Sequence, residues 1–147
     1  MDSYYSLTKT LILSGIQCEK KLWFDLNDKI KLKDKAIFRS GNRFNDVVRK
    51  HYGEGLDLSD EKEHQIVIER TKEAIQSDNI NVIYEAGFLF KKTFIRADVL
   101  IKKDNQWTML EAKASTTVKD INISDLAIQS FICLLYTSDA ADELLGV

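Results

Sequence analysis

The chain has 147 residues, a formal net charge of −2, 44% hydrophobic residues, two cysteines and no proline. Such a length and apolar content suit one domain built around one core. There is no signal-peptide pattern and no apolar run long enough to span a bilayer, which excludes a membrane partner, and two cysteines make no disulfide framework. A reducing, cytoplasmic setting follows as the simplest expectation.

The charge is unevenly spread. Residues 1–52 hold eleven Lys/Arg against six Asp/Glu, and residues 53–90 hold three against nine. Residues 91–132 hold seven against five, and the last fifteen hold none against three. Lys29, Lys31, Lys33, Lys35, Arg39 and Arg43 form a basic stretch that is either a phosphate-contacting surface or a solvated face.

In chain order, residues 5–27 predict two short helices broken near Gly15, with Trp23 and Phe24 anchoring them to the core. A helix is expected from Ala36 to Tyr52, stopped by Gly53-Glu54-Gly55. Ser59 or Asp60 is the expected cap of the next helix, which runs to Gln76. Val67, Ile68, Thr71, Ala74 and Ile75 recur at helical spacing as its apolar face, and Ser77-Asp78-Asn79 ends it. Three β-rich runs follow near 82–90, 93–101 and 106–113, then a helix over about 120–135. The expected class is α+β: N-terminal helices, a three-stranded antiparallel meander, and a helix.

The chemistry sits on those strands. Asp98 interrupts the apolar run Phe94–Ile101, where a charge without a partner is costly. The next run, Trp107 to Leu110, leads into Glu111-Ala112-Lys113. Side chains alternate along a strand, so Glu111 and Lys113 would share a face. Glu85 adds an acid on the preceding strand. Carboxylates and the Ala112 carbonyl are hard oxygen donors of the kind Mg²⁺ and Mn²⁺ take. Lys113 could position a water or offset charge on a phosphate. The plain alternative for Glu111-Ala112-Lys113 is a solvated ion pair on a strand.

These residues resemble the PD-(D/E)XK nuclease superfamily in its RecB-like branch, whose pattern is an Asp ending one strand, Glu-x-Lys on the next, and a helix carrying a Gln. Asp98, Glu111-Ala112-Lys113 and Gln129 occupy those positions. The Gln of that branch belongs to a Gln-x-x-x-Tyr motif, and here Cys133 stands where the Tyr would be. Gly15 through Trp23 is similar to the opening of RecB-type and CRISPR-adaptation nucleases and of a poorly characterised bacterial group, with Glu19 in place of a Pro. In several relatives the Cys of this segment joins three later cysteines around an iron–sulfur cluster. Those are absent here, so an iron–sulfur cluster through Cys18 is expected only in a longer, full-length protein, and in this chain Cys18 is expected to be a small buried thiol. Many members carry a metal-binding His on the first core helix, where this chain has Asn45; His51 reads as a helix-end residue.

The resemblance covers residues 5 to 132. It implies an incomplete restriction-endonuclease-like core and a metal-dependent DNA nuclease of repair, recombination or mobile-element processing. Catalytic residues would be Asp98, Glu111, Lys113 and Gln129; metal ligands would be Asp98, Glu111, the Ala112 carbonyl and, as an accessory, Glu85. A catalytically inactive DNA-binding module and an unrelated interaction domain are the alternatives. Residues 133–147 look like the in-frame translation of a transposase-based sequencing-library adapter, so the domain is expected over 1–132 with a non-native tail.

Overall fold

The computed structural model describes residues 7–27 and 45–145. The basic residues Lys29 to Arg43, and the first part (36–44) of the helix expected from Ala36 to Tyr52, lie outside them. The elements are β1 (Leu7–Thr8), α1 (Lys9–Gln17), α2 (Glu19–Asn27), α3 (45–52), β2 (Leu56–Asp57), α4 (His64–Gln76), β3 (Val82–Phe90), β4 (Thr93–Lys103), β5 (Gln106–Leu110) and α5 (Asp120–Leu145). The class is α+β, with an open sheet of mixed pairing. Strand order is β1-β4-β3-β2, and β5 also pairs with β4. Short parallel pairings join β1 to β4 and β2 to β3, and β4 and β5 are antiparallel. Among the described residues no helix is long and apolar enough to cross a membrane.

The chain divides into two compact units. The first draws on Met1–Lys29, Gly87–Arg96 and Lys119–Val147, the second on Ile30–Ala86 and Ala97–Val118.

In the first unit, α1 begins where Thr8 turns extended and its hydroxyl accepts the Leu11 N–H at 3.4 Å. The break between the helices falls at Cys18, three residues beyond the expected Gly15, which lies inside α1. Cys18 is extended and donates its N–H to the Ser14 carbonyl at 2.9 Å, and its own carbonyl accepts from Leu22 at 3.1 Å. A polar knot closes the helix pair. The Ser14 hydroxyl donates to Asp25 Oδ2 at 2.5 Å, and Lys21 Nζ donates to both, at 2.6 and 2.7 Å. The hydrogen bonds from Lys21 and then Ser14 hold the Asp25 carboxyl below the usual range.

Three further expectations for this unit fail. Trp23 and Phe24 pack edge-on against each other, their ring centres 5.2 Å apart, but remain exposed at 57% and 38%. α2 has no buried residue: Lys21 and Asp25 join Ser14 of α1, and the aromatic pair stays on the surface. Cys18 is likewise exposed, because an extended linker between two helices has no turn of its own to cover it. The last helix runs to Leu145 rather than ending near residue 135. Ala140, Ala141, Leu144 and Leu145 are strong helix formers, and no Gly or Pro falls between Asp120 and Gly146.

In the second unit, Val82, Tyr84 and Val99 form a buried cluster, with Val48 and Tyr52 of α3 and Ile101 and Leu110 of the strands packed on it. The intervening residues Ile83 and Leu100 are buried too, so both faces of these strands are covered. α4 supplies the buried stripe Val67, Ile68, Thr71 and Ala74 at helical spacing. Each fully buried aliphatic side chain contributes about 1.5–3 kcal/mol. Helix α4 starts at His64 after Glu63, not at Ser59 or Asp60. Those residues form a turn instead: the Ser59 N–H donates to Asp57 Oδ1 at 2.9 Å and the Glu61 N–H to the Leu58 carbonyl at 3.2 Å. Gly53 takes φ +84 where α3 ends, and a Cβ on Gly55 would fall 2.5 Å from the Val82 carbonyl oxygen. That close approach is what lets β2 lie beside β3.

Candidate functional site: an acid-lined cavity at the end of β5

β5 ends at Leu110, so Glu111, Ala112 and Lys113 leave the sheet instead of finishing the strand as expected. The cause lies on β4. Val99 pairs with Leu110, which would set Asp98 opposite Glu111. Asp98 instead accepts the Ala112 N–H on its carboxylate at 2.7 Å. The side chain takes the donor that a further ladder bond would have used, and the pairing stops. Asp98 is thereby tied to the middle residue of the triplet.

A cavity of about 10 Å³ opens beside this bond, the space of a single water or small ion. Asn45, Val48 and Arg49 of α3, Tyr84 and Glu85 of β3, Asp98 and Ala112 line it. All belong to the second unit. Tyr84 and Glu85 are consecutive, and regular alternation would send them to opposite faces. Glu85 has φ 57, in the left-handed region that non-glycine residues seldom occupy. The backbone is distorted there, and both residues reach the same cavity.

Arg49 enters from the helix side. Its Nε donates to Asp57 Oδ2 at 2.5 Å and Nη2 to Oδ1 at 3.4 Å. Its guanidinium stands 5.6 Å from the centre of the Tyr84 ring. The Tyr84 hydroxyl donates to the Gly53 carbonyl at 2.6 Å. Burial pulls Asp57 upward, but the hydrogen bonds from Arg49 and Ser59 outweigh it and hold the carboxyl below its usual range. The hydrogen bond to Asp57 raises Arg49 in turn. Burial raises the Tyr84 phenol.

Of the residues singled out in the sequence, Asp98, Ala112 and Glu85 meet around the cavity. Glu111 and Lys113 form an ion pair with each other, the Glu111 side chain nearly buried and that of Lys113 39% exposed. Gln129 belongs to the first unit. It is fully buried, and its Nε2 donates at 2.9 Å to Asp125 Oδ1, which also pairs with Lys9 Nζ at 3.0 Å. Among the described residues no group of three or more His, Cys, Asp or Glu gathers as a ligand cluster.

The donors fit a hard cation in kind. Asp98 and Glu111 are carboxylates on facing chain segments, and the carbonyl of Ala112 lies between Glu111 and Lys113. The two cysteines of this sequence do not by themselves supply the four thiolates of an iron–sulfur cluster. Cys18 is exposed, and burial pushes the thiol of Cys133, on α5, up to about 12.

Sequence reading alone missed Arg49 and Tyr84. Arg49 follows Asn45 by four residues, the spacing that puts two side chains on one helix face. Compared with protein-family models, with curated proteins and with solved structures, the chain matches none.

Proposed function

We propose that this chain carries the site of a metal-dependent DNA nuclease of the PD-(D/E)XK type, with a restriction-endonuclease-like core. The observation that supports the reading most is the bond from the Ala112 N–H to the Asp98 carboxylate. It binds the acid of β4 to the Glu-x-Lys triplet beside a cavity that Glu85 also lines. In this reading Asp98, Glu111 and the Ala112 carbonyl hold Mg²⁺ or Mn²⁺, with Glu85 as an accessory acid. The metal, when bound, supplies an acidified water and draws charge from the phosphate.

The chain's own groups do the remaining work. Lys113, held against Glu111, directs an N–H toward the attacking water and later toward the charge that builds on the phosphate oxygens. Glu85 and Asp98 orient that water from the cavity wall. Gln129 is assigned a polar contact near the substrate on the resemblance alone.

The test is cleavage of labelled single- and double-stranded DNA in Mg²⁺ by the wild type and by Lys113→Ala. Loss of cleavage with DNA binding retained fits the assignment. Cleavage that survives both Lys113→Ala and Asp98→Ala refutes it. A second reading, a nuclease-fold module that binds DNA without cutting, is favoured by Asn45, which lines the cavity where many RecB-like members place a His. Calorimetric titration with Mn²⁺ separates the two, since the binding module needs no metal at its acids.

A further inference from the structure

The cation at the cavity, Arg49, donates its hydrogen bonds to neither cavity acid but to Asp57. Arg49 forms its ion pair near the surface, with side-chain exposures of 28% for Arg49 and 38% for Asp57. Pairs this exposed contribute about 0–1 kcal/mol to stability, so holding the fold together is a weak reason for the arrangement. Yet the guanidinium is firmly fixed. Asp57 takes Nε and Nη2, the Tyr84 ring flanks it, and the Tyr84 hydroxyl is anchored on Gly53. Among the described residues the N–H groups of Nη1 have no hydrogen-bond partner. A free Arg side chain loses about 2 kcal/mol of rotamer entropy when it is immobilised. Here Asp57 and Tyr84 have immobilised it before any ligand arrives.

A phosphodiester brings a negative charge toward Glu85 and Asp98, which line the same cavity as Arg49. A planar guanidinium with directed N–H groups is the side chain best matched to two oxygens of one phosphate. We propose that Arg49 is the phosphate anchor of this site. It is held ready by Asp57 and Tyr84, and its guanidinium passes in part from the Asp57 carboxylate to a nonbridging phosphate oxygen as a DNA strand enters. This rests on the nuclease reading of the acids and adds the group that receives the substrate. No bond is made or broken in the exchange. One ion pair replaces another.

The experiment is fluorescence anisotropy of a labelled DNA duplex with the whole chain, across a salt series, with Ca²⁺ replacing Mg²⁺ to prevent turnover. Removing one cation that neutralises a phosphate lowers the slope of log affinity against log salt by about 0.9. Arg49→Ala should lower it by one such step, and Arg49→Lys should keep the slope with weaker binding. Asp57→Asn releases the guanidinium and should tighten binding several-fold. Asp60→Asn changes the net charge equally in the neighbouring exposed turn and should not. The Asp57 and Asp60 arms decide the matter if Arg49→Ala fails to fold. A full wild-type slope in Arg49→Ala, or equal effects of Asp57→Asn and Asp60→Asn, overturns the anchor while leaving a cleaving enzyme intact. A wild type that binds no DNA overturns the nuclease reading and the anchor together.

Discussion

The carboxylate of Asp98 and the backbone of Ala112 are joined by a 2.7 Å hydrogen bond, and β5 ends two residues before that bond. One side chain therefore has two roles: it terminates a strand and it presents an acid beside a cavity.

Asparagine separates those roles. In Asp98→Asn the side-chain carbonyl still accepts the Ala112 N–H, so the thermal midpoint should stay close to the wild type. The negative charge is gone, and on the proposed nuclease reading Mg²⁺-dependent cleavage should fall by at least about 10²-fold, the loss typical of removing one preorganised electrostatic group. Parallel melting and cleavage assays check this. An asparagine variant that cuts at the wild-type rate places the chemistry elsewhere.

The left-handed backbone at Glu85 predicts an unusual order of substitutions. Glu85→Gly removes the side chain but relieves a strain of about 1–2 kcal/mol, so its stability should match or exceed the wild type. Glu85→Val, β-branched and normally welcome in a strand, should be the less stable by about 1–3 kcal/mol. Urea unfolding of the two variants gives the comparison, and a more stable valine variant contradicts the assigned conformation.

Asp57 carries a pH signature. Its folded carboxyl lies below the ordinary value, so the pair with Arg49 stabilises the fold above the unfolded pKa of about 3.9. That stability is lost as pH falls through the lower, folded value. Solvent screening at this exposure limits it to about 0–1 kcal/mol. The difference in unfolding free energy between the wild type and Arg49→Met should therefore be constant from pH 7 to 5 and shrink in stronger acid. A difference that grows on acidification reverses the sign and rejects the pairing.

The two thiols should react at different rates. Cys18 is exposed between α1 and α2, whereas burial raises Cys133 to about 12 and keeps it protonated at neutral pH. Iodoacetamide at pH 8 should modify Cys18 first, and mass mapping should find Cys133 almost untouched until denaturant is added. Rapid labelling of Cys133 in the folded chain would count against the burial of that face of α5.

The strands near 82–90, 93–101 and 106–113 were legible because apolar and β-branched residues cluster there between polar turns, and the stripe on α4 because it repeats at helical spacing. Two-residue strands such as β1 and β2 have no period to detect, and their pairing with β4 and β3 depends on tertiary contacts. Gly15 was the obvious candidate to break the first helices, yet the break follows the Ser14, Lys21 and Asp25 knot, which joins residues up to eleven apart. Asp98 and Glu85 could be picked out as acids on strands, and the triplet as an acid and a base following one. Arg49 and Tyr84 could not, because what joins them is a ring contact and a bond across 31 and 35 residues. The end of β5 was misplaced because a side chain, rather than a turn residue, stops it.

The hydroxyl of Tyr84 grips the last turn of α3, with its 2.6 Å bond to the Gly53 carbonyl and a longer one to that of Arg49. That helix is thus indexed to the sheet from its C-terminal end. Tolerance to change should be polarised along it: an inserted residue between Arg49 and Gly53 would rotate the guanidinium out of the cavity by about 100°, the turn per residue of an α-helix. An insertion upstream of Asn45 would leave the indexed end where it is. A chain diversifying under selection would keep the last turn of that helix locked to the strand.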